Sequence, residues 1–335
     1  MNIKKSQVIV FNKAGRLVNT ELFYKGMKLE IVKSYTYLGI DITASGTFSP
    51  AIKELTMKAK KAMIPLYRLI KQFQIPFGKS LKLFRTYIEP ILLYNAENWS
   101  TFTEKQIEKC KNNHRIIYEN AVATQTTVTQ LKFLKFILGV GKQCPTLGVL
   151  GECAQVPLTM KGQVAMLKYW NRISRMGEEV LVKKAYLENI AMNTNWCQTV
   201  QILNAAHKLN TRPLTMIEYH RTAPCRSSEN WKAYWKNSVS AQITGSGKLG
   251  MYARLKSEFQ RDPYLDLPTF EKRQVITKFI CSNHSLYIET DRHRDRESSR
   301  AIRTCQVCTR GAIEDERHFL IEFPVYETIR GVDHS

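Results

Sequence analysis

Between Ser49 and Lys71 the apolar positions recur at helical spacing. Ile52, Leu55, Ala59, Ala62, Met63, Leu66, Leu69 and Ile70 fall on one stripe, and Lys53, Lys58, Lys60, Lys61, Arg68 and Lys71 occupy the remainder. That pattern predicts an amphipathic helix with an apolar stripe for a core and a nearly continuous cationic face. Ser49 followed by Pro50 reads as its N-cap with proline at the first helical position, and Pro65 inside it should produce a kink. A second helix is expected from Phe77 through Leu81, Phe84, Ile88, Ile91 and Leu92 to Tyr94, bent again at Pro90. Thr103 with Gln106 makes a capping box for a third, and Leu131 to Leu138 is the apolar heart of a fourth. Residues 139–157, rich in Gly, Pro and Cys, read as an ordered loop, and helices are expected over 160–175 and 178–192.

Upstream of Ser49 the period changes. Leu22 to Tyr24, Lys25-Gly26 and Met27 to Val32 read as a β-hairpin whose glycine supplies a positive φ. Tyr35, Tyr37, Ile40 and Ile42, with Leu38 and Gly39 between them, read as a further strand, because aromatic and β-branched residues suit a pleated, half-buried surface. Aromatics at period two usually pack, so at least one of Tyr35 and Tyr37 is expected in the core. Three or four strands in the first 45 residues make a small sheet that needs helices packed on it. The expected fold is therefore mainly α, with a small amino-terminal β-hairpin sheet packed on a helical bundle. The segments suggested are residues 1–48, 49–190, 191–300 and 301–335.

Charge narrows the partners. The 335 residues carry 50 Lys and Arg against 29 Asp and Glu, a net charge of +21 with a pI near 9.6. The first 100 residues alone hold 16 basic against 6 acidic side chains. Such a surplus makes a polyanion the natural partner, nucleic acid first and an anionic membrane surface second. For the Ser49–Lys71 helix taken alone, a solvated face is as good a reading as a phosphate-binding one. No run of about 18 apolar residues exists to span a bilayer. The start M-N-I-K-K-S has no apolar core of a signal peptide, so a nuclear or cytoplasmic location and reduced cysteines are expected. Six of the eight cysteines are scattered and read as small core residues. Five histidines, His114, His207, His220, His284 and His293, have no Ser or Cys partner at a recognised spacing and read as surface or satisfied core groups.

Only Cys305-x2-Cys308-x9-His318 has a spacing that suggests chemistry. Two close cysteines on a turn, followed by a histidine on a short helix, suit tetrahedral zinc, which favours four soft or borderline ligands. No Asp-Asp pair, one sequence form in which the paired carboxylates of a two-metal site can occur, is present in the chain.

Several stretches share a further likeness. S-Y-T-Y-L-G-I-D-I at Ser34–Ile42, the basic helix with K-A-K-K-A, and I-E-P-I-L-L-Y-N-A-E-N-W at Ile88–Trp99 resemble the segment after the polymerase palm in reverse transcriptases of non-LTR (LINE-type) retrotransposons. L-K-F-L-K-F-I-L-G-V at Leu131–Val140, V-L-G-E at Val149–Glu152, L-K-Y-W-N-R-I at Leu167–Ile173, C-Q-V-C at Cys305–Cys308, E-D-E-R-H-F at Glu314–Phe319 and P-V-Y at Pro324–Tyr326 match the same family in the same order. The resemblance implies the end of a palm over 1–48, a thumb-like bundle over 49–190, a helical extension over 191–300 and a zinc-knuckle-like tail over 301–335. It implies template–primer binding to RNA and DNA, with Tyr35 and Tyr37 in a primer-grip-like strand. Phosphate contacts are expected from Lys53, Lys60, Lys61, Arg68 and Lys71 of the first helix and from Lys79, Lys82 and Arg85 of the second. The family's catalytic aspartates fall upstream of this segment, so the chain is expected to be a fragment that binds without polymerising. The family's fourth zinc ligand, a cysteine five residues after the histidine, is Phe323 here. Either water, Glu322 or His334 completes a three-ligand site, or a metal-free knuckle is held by packing of Phe319, Leu320, Phe323 and Tyr326. Asn95 replaces the glycine usual in the family's L-L-Y-G, which suggests relaxed constraint. A different class stays open: a helical protein- or RNA-interaction module with no transposition role.

Overall fold

A computed structural model describes residues 6–12, 14–210, 214–243, 248–290, 303–308 and 310–331. Six short strands come first: β1 (Gln7–Val8), β2 (Phe23–Tyr24), β3 (Met27–Lys28), β4 (Glu30–Ile31), β5 (Ser34–Tyr37) and β6 (Ile40–Thr43). The helices α1 (Ser49–Gln72), α2 (Phe77–Tyr87), α3 (Glu89–Leu92), α4 (Ala96–Trp99), α5 (Glu104–Asn112), α6 (Arg115–Ala123), α7 (Gln125–Leu138) and α8 (Thr146–Glu152) follow. Next are α9 (Leu158–Ser174), α10 (Leu181–Ala191), α11 (Asn195–Ala206), α12 (Met216–Ser240), α13 (Gly250–Leu255), α14 (Phe270–Ile280), α15 (Tyr287–Thr290) and α16 (Glu327–Arg330). The fold is mainly α with small amino-terminal sheets, as expected. Two compact units interleave along the chain. One comprises residues 1–75, 79–130 and 157–230, the other 76–78, 131–156 and 231–335.

In the first unit the strands form three two-stranded sheets rather than a single one: β1 with β4 in parallel, β2 with β3 and β5 with β6 antiparallel. The Lys25-Gly26 turn has φ of 48° and 76°, the double positive φ that a two-residue hairpin turn demands. The same device at Leu38 (φ 48°) and Gly39 (φ 79°) corrects the reading of Tyr35–Ile42 as one strand. The chain reverses there, and Tyr35 pairs with Ile42 and Tyr37 with Ile40. A consequence is that neither tyrosine is in the core: Tyr35 is 40% and Tyr37 58% exposed. Ile40, on the partner strand, is buried instead, together with Ala51 and Leu55 of α1 and Ala96 and Trp99 of α4.

Helix α1 continues through Pro65, with Ala51, Leu55, Ala59, Met63, Leu66 and Ile70 buried. Its N-cap is Phe48, not Ser49, which is already helical and makes no capping bond, so the favourable feature at this end is Pro50 alone. The second predicted helix is broken rather than bent. Helix α2 ends at Tyr87, Pro90 opens the single turn α3, and Asn95 (φ 57°, ψ 27°) separates that turn from α4. Asparagine is among the residues that best tolerate this left-handed region, and Asn98 Nδ2 donates to its side-chain oxygen at 2.5 Å. Asn95 is thus conformationally compatible with a site at which the resembling family carries glycine, which removes the structural ground for reading it as relaxed constraint. Tyr94 Oη donates to Leu38 O at 2.8 Å and Trp99 Nε1 to Tyr94 O at 2.8 Å. The β5–β6 turn is thereby tied to the Ile88–Trp99 stretch. Thr103 and Gln106 form the predicted capping box of α5. Gly162 of α9 faces Ala96 and Ser100, and a Cβ there would come within 2.3 Å of Ser100 Oγ.

In the second unit Phe133, Leu134, Ile137 and Leu138 of α7 are buried, as are Leu249, Leu265, Trp235 and Tyr252, the last two meeting edge-on at a centroid distance of 6.2 Å. Residues 139–157 are not wholly a loop, because Thr146–Glu152 is the helix α8. Its glycines serve space, not turning: a Cβ on Gly151 would meet Tyr252 Oη at 2.4 Å and Trp235 at 2.6 Å, and one on Gly148 would meet Leu249 at 3.2 Å. Behind them Glu152 is fully buried. Tyr264 Oη donates to it at 2.5 Å, and Lys256 Nζ lies 3.5 Å from it and 2.5 Å from Asp262. Burial pushes the Glu152 carboxyl above its usual range, with Lys256 and the Tyr264 hydroxyl opposing. Five of the six scattered cysteines are buried, as expected, but Cys225 is exposed on α12.

Candidate metal site and basic helix face

The Cys305–Cys308 loop is closed at its base by an antiparallel bridge between Thr304 and Ile313. Cys305 N–H donates to Ala312 O at 2.8 Å and Glu314 N–H to Arg303 O at 2.9 Å. Within the loop Cys308 N–H points at Cys305 Sγ, 3.5 Å away. The acidic E-D-E stretch then has a structural reading. Asp315 Oδ1 accepts the His318 N–H at 2.9 Å, setting the start of the π-helical turn His318–Glu322 that carries the histidine. Glu316 Oε1 accepts from Ser282 Oγ at 3.3 Å and lies 3.1 Å from His284 Nε2. Burial raises the Glu316 carboxyl, but the hydrogen bonds from His284, from its own backbone and from Ser282, with the charge of His284, together outweigh this and hold it below the usual range.

These contacts bring Cys305, Cys308 and His318 together, with one ligand atom from each all lying within 4.8 Å of one another. Cys308 Sγ is 3.3 Å from His318 Nε2. Cys305 and His318 are buried and Cys308 half-buried. His318 Nδ1 is buried without a hydrogen bond and lies 3.6 Å from Glu322 Oε2. With Nε2 directed at the sulfurs, Nδ1–H faces a carboxylate, the outer-shell arrangement that fixes the tautomer of a metal-bound histidine. The cluster can therefore hold a metal ion. Glu322 is placed behind the histidine, so it suits the orienting role better than that of a fourth ligand. His334 lies outside the described residues.

Phe323, at the family's fourth-ligand position, is 8% exposed, with its ring edge-on to His318 at a centroid distance of 5.7 Å. It also packs on Phe319 (6.3 Å) and Tyr326 (5.4 Å), as the metal-free reading requires. Leu320 departs from that reading, since it is 48% exposed.

On α1, Lys53, Lys60, Lys61, Arg68 and Lys71 are all exposed. At 100° per residue they occupy one arc of about 100°, opposite the buried stripe. Lys58 lies outside that arc and pairs with Glu54 at 2.6 Å. No acidic residue occupies the first turn of α1. Lys79, Lys82 and Arg85 of α2 are exposed as well. Met57 and Ile64, both exposed, interrupt the α1 arc; sequence reading passed over them because it sought either an apolar stripe or a basic one. The buried Glu152–Lys256–Tyr264 network was also missed, since nothing in local spacing pairs residues over a hundred positions apart.

No helix among the described residues is long and apolar enough to cross a membrane. Comparison with protein-family models, curated proteins and solved structures finds no match to this chain.

Proposed function

We propose that the chain binds nucleic acid through phosphate contacts made by α1 and α2, in the manner of a reverse-transcriptase thumb and without a polymerase site of its own. The supporting observation is the α1 arc. Lys53 to Lys71 spans about 27 Å at 1.5 Å per residue, and Lys53, Lys60, Lys61 and Arg68 make no ion pair among the described residues. Cations left in water on a rigid rod keep their charge for a partner, and phosphates are the partner that releases counterions on meeting them. Tyr35 and Tyr37, exposed on β5, are suited to stacking or hydroxyl contacts with a strand end. The thumb reading rests on the resemblance of the Ser34–Trp99 stretch, with RNA/DNA template–primer as the expected ligand.

Zinc is the ion that best suits the Cys305–Cys308–His318 cluster, because two thiolates and an imidazole favour it over hard cations. Bound there it would supply folding energy to the carboxyl-terminal loop. A fluorescence titration of the purified chain with an RNA/DNA primer–template hybrid and with blunt duplex DNA tests the function. The proposal expects tighter binding of the hybrid and affinity that falls steeply as salt is raised. Weak binding, equal for hybrid, duplex and heparin, would overturn it.

A further inference from the structure

A groove of about 1250 Å³ in the first unit runs between β6, the start of α1, α4, α9 and α10. No Lys, Arg or His among the described residues lines it, in a chain of net charge +21. Its charged lining residues are Asp41, Glu97 and Glu104, and none of them is in an ion pair among the described residues. Asp41 accepts one hydrogen bond, from Thr36 Oγ1 at 2.6 Å.

The aromatic walls are held in place. Trp196 Nε1 donates to Glu97 O at 2.9 Å, and Trp170 Nε1 donates to Tyr186 Oη at 2.9 Å. The Trp196 ring meets Tyr169 and Tyr186 edge-on at centroid distances of 6.4 and 6.3 Å. With Trp196 Nε1 and Tyr186 Oη engaged in these bonds, the lining rings of Trp196 and Tyr186 offer surface whose conformational entropy is already lost, which is what a binding wall needs. Arg172 and Lys183 stand over the rings of Tyr169 and Tyr186 at 5.3 and 5.4 Å, outside the groove lining, so both rings already serve as cation–π partners.

One wall lacks cover. Helix α10 has no buried residue, and its Val182, Ala185, Tyr186 and Asn189, at i, i+3, i+4 and i+7, line the groove. Leu181 and Met192, at either end of that helix, are 79% and 76% exposed.

We propose that this groove docks a peptide segment of a partner protein, one that sets aromatic or aliphatic side chains beside at least one Arg or Lys. Its volume exceeds the roughly 300–1,000 Å³ of small-molecule sites. Three carboxylates and no described cation repel a phosphate backbone, which separates this groove from the basic face of α1, and Tyr37, which lines the groove, is where the two proposed surfaces meet. An arginine or lysine entering between the rings meets carboxylates that have no competing cation.

The test is a peptide-display selection of random 12-residue sequences on the immobilised intact chain, followed by fluorescence polarisation of the enriched peptides. Enrichment of sequences combining Arg or Lys with aromatic or aliphatic residues is expected. Their affinity should fall about tenfold on Glu97→Gln/Glu104→Gln, which removes charge but no ion pair, and further on Tyr186→Ala. Lys60→Glu/Lys61→Glu should leave peptide affinity unchanged, so this proposal and the nucleic-acid reading fail separately. Melting temperature and far-ultraviolet circular dichroism establish that the variants are folded. Failure to enrich any peptide, enrichment of sequences without a cation, or indifference to the double Gln variant would overturn the proposal. Displacement of the peptides by a 12-residue oligo(dT) strand would overturn it in favour of a nucleic-acid groove.

Discussion

Lys60 and Lys256 carry the same charge in opposite settings. On α1 of the first unit Lys60 stands in water with Lys53, Lys61 and Arg68, none of them ion-paired among the described residues, and the helix is stabilised by its other face. Inside the second unit the Lys256 side chain is 5% exposed and clamped by Glu152, Asp262 and the Gln260 carbonyl, which accepts from Nζ at 2.7 Å. Surface ion pairs contribute little and exposed cations less, so the α1 charges are nearly irrelevant to folding and remain available to a partner. A buried charge has no such freedom: once one partner is removed, the other is stranded in a medium of low dielectric. In this chain buried charge is committed to folding, whereas the exposed charge of α1 is what the proposed binding would use.

The largest effect should come from breaking the buried group. Glu152→Ala strands Lys256 and the Tyr264 hydroxyl and should cost about 3–5 kcal/mol by chemical denaturation. A cost under about 1 kcal/mol would mean that Asp262 alone suffices for Lys256. Next comes His207, which is 1% exposed and accepts from Asn230 Nδ2 through Nδ1 at 3.0 Å. Burial, with a contribution from His114, pushes it down to about 4 from 6.5. Between those values the unfolded chain binds the proton and the folded chain does not, so stability falls as pH drops from about 6.5 to about 4. The full loss is about 3 kcal/mol, and His207→Gln should flatten that part of the pH profile.

At the exposed site the sign of the comparison reverses. Lys60→Glu/Lys61→Glu should weaken nucleic-acid binding by about 1–3 kcal/mol while altering stability by less than about 0.5 kcal/mol. The Cys/His cluster falls between the two cases, with buried ligand atoms that gain a charged partner only when an ion binds. Phe323→Cys, which restores a fourth sulfur, should raise zinc affinity at least tenfold in competition with a chromophoric chelator. Unchanged affinity would place the fourth position elsewhere. The smallest effect involves no charge: Asn95→Gly should change stability by less than about 0.5 kcal/mol, whereas Asn95→Val, β-branched at positive φ, should cost about 1–2 kcal/mol.

What could be read from the residues follows the range of the interactions involved. The helical period of α1, the Thr103–Gln106 capping box and the Lys25-Gly26 hairpin are local, and each is legible in a dozen residues. The Cys305–Cys308–His318 cluster was legible because ligand spacing is itself a local pattern. Tyr35 and Tyr37 were misplaced for a definable reason: a strand with alternating aromatics does not say which face is covered, and the Leu38-Gly39 reversal gave the buried place to Ile40. Gly148 and Gly151 looked like loop residues because glycine breaks helices on average, whereas here close packing by Cys281, Tyr252 and Trp235 required a missing side chain. The groove beside α10 could not be foreseen, since its walls come from five separated stretches.

The most direct test of the account is the salt dependence of hybrid binding for the wild-type chain and for Lys60→Gln/Lys61→Gln. If both lysines neutralise phosphates, the slope of log K against log[salt] should become shallower by roughly 1.4–1.8 for the double variant, at about 0.7–0.9 per contact. An unchanged slope, with affinity also unchanged, would contradict the claim that the α1 face binds nucleic acid.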